Sequence, residues 1–251
     1  MSHGGSRWLH RLVLPIYFMK PAFTKVNRYI FDPKAWSWSI PSGTTCPGAE
    51  QCLAKVDRET GHMTNGPKQT FKCYAAVSER YPSVRKRYWC NFDAVRGLKA
   101  DEVAEVLAGC LPKNAKRVRV HTAGDFFSEE YFLGWMKFAA SKPEVQFWAF
   151  TKSLPFWVRN KGAVPANMEL QASYGGRWDS MIEEHGLKYA KVVWSLEEAE
   201  KLGLKIDTDD KMAAFPGPSF ALIENFSKQN ISCSPETKNI TYQAQKPAGG
   251  L

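Results

Sequence analysis

Three thiols fall close together in the first third of the chain. Cys46 and Cys52 lie in "TTCPGAEQC" (44–52), and Cys73 follows in "FKCYA" (71–75). A loop thiol adds little to packing; as a thiolate it is a nucleophile or a ligand for soft metal centres. Pro47 stiffens the backbone after Cys46, and Gly48 lets the chain approach a bulky group. A fourth loop thiol, Cys233, sits in "SCSPET" (232–237), and Cys90, after "RYW", competes with it. Cys110 falls on an apolar helical face and reads as a small core residue. Four thiolates suit a structural zinc ion or an iron–sulfur cube. Zinc pairs usually have two to four intervening residues; Cys46 and Cys52 have five between them. A cube accepts wider spacing because each thiolate meets a different iron. Spacing therefore leans towards a cluster, with zinc and unligated thiols as the alternatives.

A second constellation lies in "VHTAGDFFSEEYF" (120–132), where His121 and Thr122 end a strand pattern and Gly124 and Asp125 follow. The next strand pattern ends in Thr151, Lys152 and Ser153, and the one after in Ser173, Tyr174, Gly175 and Gly176. Carboxyl ends of parallel strands are where α/β folds place ligands. His121, Asp125, Lys152 and Tyr174 are thus candidates for a pocket taking a polar or anionic ligand. The plainer readings are a helix cap for Asp125 and a hydrogen-bonded core residue for His121. There is no metal-binding His–Glu helix motif, no Gly-x-Ser-x-Gly elbow and no phosphate loop.

The elements that must hold these residues alternate. Helical spacing covers 101–111, 128–140 (with Ser128 as N-cap), 154–160, 178–186 and 196–203. Strand patterns cover 117–123, 145–152, 168–174, 190–195 and 219–226. This alternation predicts βαβ units and a parallel sheet, and without a G-x-G-x-x-G fingerprint it favours a partial (β/α) barrel over a dinucleotide fold. Residues 1–40 read as aromatic and irregular, 41–76 as loop-rich, and 59–70 as a flexible polar excursion. We expect one domain over 1–251, in which 1–76 form an irregular cysteine-bearing segment packed on the β/α repeats of 77–251.

The chain has 251 residues, 44% hydrophobic, and a formal net charge of +9. Basic runs at 80–89 and 113–119 admit a nucleic-acid partner, although no recognised nucleic-acid motif accompanies them and solubility explains them as simply. The apolar run 12–19 is too short to span a bilayer and reads as a buried lead-in strand. With no secretory signal recognised, a cytoplasmic location is expected, where thiols stay reduced and disulfides are disfavoured.

The order "PSGTTCPGAEQC", "CYA", "VRVHTAGDFFSEEYFLGW", "FWAFTKS", "SCSPET" resembles a family of phage-encoded gene-product proteins that look like distant relatives of radical S-adenosylmethionine enzymes. The resemblance covers roughly 35–240. It implies a [4Fe–4S] cluster held by Cys46, Cys52 and Cys73, with Cys233 as fourth ligand, on a partial barrel of the radical-enzyme kind. The chain lacks the C-x-x-x-C-x-x-C triplet of active radical enzymes. The resemblance therefore implies a cluster-binding protein with an electron-transfer or redox-sensing role and an unknown redox partner. An enzyme using S-adenosylmethionine on a nucleic acid or small molecule, and a zinc-stapled binding module, are the alternatives.

Overall fold

The computed structural model describes residues 19–26 and 30–224. Cys233 and nearly all of the expected lead-in strand lie outside the described residues.

The architecture follows from where apolar residues recur. In β5 (Arg117–Val120), β6 (Gln146–Thr151) and β7 (Met168–Ser173), alternate residues point to opposite faces. Val118, Val120, Phe147, Ala149, Met168 and Leu170 share one core with residues of α3 (Ala100–Cys110) and α4 (Glu129–Ala140). On the other face Trp148 packs with Ile30, Ala35 and Phe220 and with Ala213 and Ala214 of α8 (Lys211–Ala214). A sheet covered on both faces is the setting parallel strands require.

The chain supplies further strands and helices around this centre. β1 (Thr24–Lys25) and β2 (Trp36–Trp38) form an antiparallel pair at one edge. β3 (Ala54–Val56) and β4 (Met63–Asn65) form a separate hairpin. α1 (Tyr74–Glu79) and α2 (Pro82–Asp93) follow. After β6 come α5 (Leu154–Arg159), β7, α6 (Ser180–Glu184), β8 (Tyr189–Val193), α7 (Leu196–Lys201), β9 (Lys205–Ile206), α8 and β10 (Phe220–Ile223). The sheet runs β1-β2-β5-β6-β7-β8-β10-β9, parallel at every pairing except β1–β2. From β5 to β8 each strand lies beside its predecessor, so the carboxyl ends of β2, β5, β6, β7 and β8 share one rim.

Local signals explain the helices. Ser128 Oγ accepts the Tyr131 amide, and Glu129 and Glu130 occupy the positive end of α4. The inner face of α4 buries Phe132, Trp135 and Phe138 completely. Gly186 and Gly203, both at positive φ, follow α6 and α7.

Two expectations are corrected. Residues 59–70 are not a loose excursion: β4 falls among them, and Asp57 Oδ1 accepts the Glu59 and Thr60 amides and the Thr60 hydroxyl to fix the turn. Residues 1–40 are not irregular throughout, since β1 and β2 lie there; strands of two and three residues are too short to show a period.

Candidate metal centre at the strand ends

The segment leaving β2 folds over the carboxyl ends of β5, β6 and β7. The Ile40 amide donates to the Ala123 carbonyl at 3.1 Å, and Thr45 Oγ1 donates to the Pro41 carbonyl at 2.6 Å. Further along, the Gln51 amide donates to the Gly175 carbonyl and the Arg177 amide to the Gly48 carbonyl, both at 2.9 Å. Two glycines permit this closeness. A Cβ on Gly48 would lie 2.2 Å from the Lys152 carbonyl oxygen, and one on Gly124 (φ +85°) 2.4 Å from Ile40 Cγ1.

This folding brings Cys46, Cys52 and Cys73 into one electrostatic neighbourhood. Burial pushes the Cys46 thiol well above its ordinary range, and Asp125, Cys73 and Cys52 add to the rise. Burial also raises Cys52, against the opposing charge of Lys152. Cys73 is pushed up to about 11 by burial and by Cys52, with the amides of Ala76 and Ala75 at the start of α1 pulling the other way. The Gly43 amide donates to Cys46 Sγ at 3.3 Å. Among the described residues, no group of three or more His, Cys, Asp or Glu side chains is disposed to hold a single metal ion.

Cys90 stands elsewhere, in the last turn of α2, where its thiol donates to the Met19 carbonyl and burial raises its pKa, with Arg87 opposing and Asp93 adding to the rise. Cys110 donates to the Pro21 carbonyl and packs against the core. Cys233 is outside the described residues.

The strand-end residues separate into three roles. Asp125 does not cap the helix after it; Ser128 does. Its buried carboxylate instead accepts the Thr151 hydroxyl (2.6 Å), the Phe126 amide (2.7 Å) and the Lys152 amide (2.8 Å), tying β5 to β6. Burial nevertheless raises its pKa to about 6. Lys152 reaches to β7, its ammonium donating to the Ser173 carbonyl and hydroxyl at 2.8 Å and to the Tyr174 carbonyl. His121 turns away into the core, sharing a 3.0 Å hydrogen bond with the Tyr131 hydroxyl. Burial lowers its pKa to about 3, so the ring stays neutral.

Tyr174 alone of the four borders an open cleft of about 180 Å³, with Gln51, Phe71, Gly175, Asp179 and Lys191. The cleft opens where the strands part. The Tyr174 amide still reaches the Ala190 carbonyl, but β7 ends at Ser173 while β8 continues along β10 to Val193. Lys191 Nζ lies 5.4 Å from the Tyr174 ring centroid.

Sequence reasoning missed Glu79. This residue is fully buried, its Oε1 accepts the Ser42 amide at 2.6 Å, and burial raises its pKa to about 7. A carboxylate on the same helical face as Ala75 and Ala76 is the signal that was available.

The Gene product 88 family pattern matches residues 20–241. The chain belongs to the Gene product 88 family. Among curated proteins, the Gene 88 protein of Mycobacterium phage L5 is 30% identical over 148 residues, 51% of this chain and 55% of that protein. The Gene 88 protein of Mycobacterium phage D29 is 29% identical over the same extent. The chain thus matches about half the length of these relatives. No solved structure matches it. No helix among the described residues of this Gene product 88 chain is long and apolar enough to cross a membrane.

Proposed function

We propose that this chain holds a [4Fe–4S] cluster on Cys46, Cys52, Cys73 and Cys233 and acts in electron transfer or redox sensing with a redox partner. The carrying observation is the convergence of the three described loop thiols from two separate stretches of chain. A backbone amide meets one of the sulfurs, Gly43 at Cys46, and amide contacts to sulfur tune cluster potentials. Burial keeps these groups as thiols until a cation compensates them, so metal binding and proton release are coupled. Lys152, close enough to lower the Cys52 pKa, offsets part of the negative charge such a site carries. A bound cluster supplies a one-electron couple; the chain supplies ligands, an amide donor, a buried cation and cover from water.

We read the mostly parallel sheet as a partial (β/α) barrel of the radical S-adenosylmethionine kind. Support comes from the consecutive order β5-β6-β7-β8 and from the cysteine loop following β2, which pairs in parallel with β5. The cleft between Gln51 and Tyr174, next in sequence to Cys52, favours a second reading, in which an open iron and S-adenosylmethionine make the protein an enzyme.

Anaerobic purification tests the first reading. The protein is expected to be brown, with broad absorption near ~400 nm and about four iron and four acid-labile sulfide per chain. A colourless protein containing only zinc overturns it. Cys233→Ala separates the readings: cluster loss supports four-thiolate closure, and an unchanged cluster that cleaves S-adenosylmethionine on reduction supports the enzyme.

A further inference from the structure

The elbow between α1 and α2 exposes an aromatic ring, Tyr81, beside cations that form no ion pair with a described residue. Tyr81 is 54% exposed, whereas Tyr74 is held inward by its hydroxyl, which accepts from Arg119 at 3.1 Å. The backbone is helical from Tyr74 through Arg80. Arg80 beside Tyr81 is exposed, and Ser83 and Lys86 continue the outer stripe onto α2.

Among the described residues the acids around the elbow are engaged elsewhere: Glu59 faces Arg58 at 3.9 Å and Glu79 accepts the Ser42 amide. The nearest acid on α2, Asp93, is engaged by Arg58 at 2.6 Å and Arg96 at 3.4 Å. Arg80 and Lys86 form no ion pair with a described residue. Arg85, buried inside the elbow, donates to the carbonyls of Arg58, Glu79, Arg80 and Glu59 rather than to a carboxylate. α1 and α2 carry no acid in their first turns, whereas α3, α4 and α7 each carry two. The elbow therefore presents a positive field with the exposed Tyr81 ring inside it.

We infer that this elbow is a docking surface for single-stranded nucleic acid, with Tyr81 stacking on a base and Arg80 and Lys86 pairing with phosphates. The chemistry selects this partner. A strand of unpaired nucleotides satisfies cations and ring face together. A duplex hides its base faces, and an acidic protein uses the cations but leaves the ring in water. The chemistry of this surface does not use the proposed cluster.

Fluorescence anisotropy with a labelled oligothymidylate of about 20 nucleotides tests it. Binding at about 50 mM salt should weaken linearly in log–log form as salt rises, by about 0.7 in slope for each phosphate contact. Arg80→Glu with Lys86→Glu should cut affinity at least tenfold and flatten the slope by about 1.4, two contacts' worth. Tyr81→Ala should cut it roughly 5- to 100-fold, the range of one lost stacking contact. Lys201→Glu with Lys205→Glu, in α7 and β9, should leave binding unchanged. Thermal melting confirms that each variant folds. Absence of binding overturns the inference. So does binding that the elbow variants leave untouched, or tighter elbow-dependent capture of polyglutamate or anionic vesicles than of the oligonucleotide.

Discussion

The β/α wall from 100 to 201 and the cysteine segment from 41 to 80 meet at one rim but are held by different forces. The wall is packed: Trp135, Phe138 and Phe147 are wholly buried, and Ser128 and Ser195 cap α4 and α7 with their hydroxyls. The cysteine segment is tethered. α1 and α2 begin at Cys73 and Tyr81 with no side-chain cap. Buried polar groups bind its backbone instead: Glu79 the Ser42 amide, Arg85 four carbonyls, Thr45 the Pro41 carbonyl. Packing fixes a wall whatever its chemistry. On the proposed cluster reading, the stability of the tethered region would depend on what its sulfurs bind.

Trp135→Ala should produce the largest effect, a loss of about 3–5 kcal/mol in urea unfolding, because the wall cannot close the void. If hydrogen exchange in the cysteine segment accelerates equally, the two regions are one cooperative unit; if it accelerates less, they are separable.

The next effect is on pH. Glu79 rises from 4.5 to about 7 on folding and Asp125 from 3.8 to about 6. The folded state binds these protons more tightly than the unfolded chain, so their contribution is full below the unfolded pKa. It is lost as pH rises, between 4.5 and about 7 for Glu79 and between 3.8 and about 6 for Asp125. About two pKa units amount to roughly 2–3 kcal/mol per group. Glu79→Gln keeps the acceptor for the Ser42 amide and should flatten the upper part of this profile. Urea midpoints at pH 5 and pH 8 read the difference.

On the proposed cluster reading, treating anaerobic protein with a chelator should accelerate exchange in 41–80 at least tenfold, about 1.4 kcal/mol, and leave α4 unchanged. Equal protection with and without chelator breaks the contrast. The smallest effect belongs to Ser128→Ala, about 1 kcal/mol for a lost cap, confined to the wall and read by thermal melting.

The wall was legible because its elements are long enough to show a period and carry their own stop signals. Ser128, Gly186 and Gly203 marked ends that the structure places within a residue or two. β1, β2 and the β3–β4 hairpin were not legible, since strands of two or three residues owe their existence to partners remote in sequence. The site divides similarly. Lys152 was recognisable as a strand-end cation, but nothing local shows that its ammonium crosses to Ser173 rather than facing a ligand. His121 at a strand end resembles a functional residue, and only the surrounding Phe126, Tyr131 and Trp135 rings show it to be neutral core.

By itself the sequence determined the α/β class, the order of the wall's elements and the three loop thiols worth attention, because periodicity, capping and residue type are local properties. Tertiary structure alone decided that Cys46, Cys52 and Cys73 share a neighbourhood, that Asp125 and Lys152 brace the rim, and that the cleft opens beside Tyr174. Proximity, burial and a shifted pKa are made by residues distant in the chain, and no local pattern encodes them.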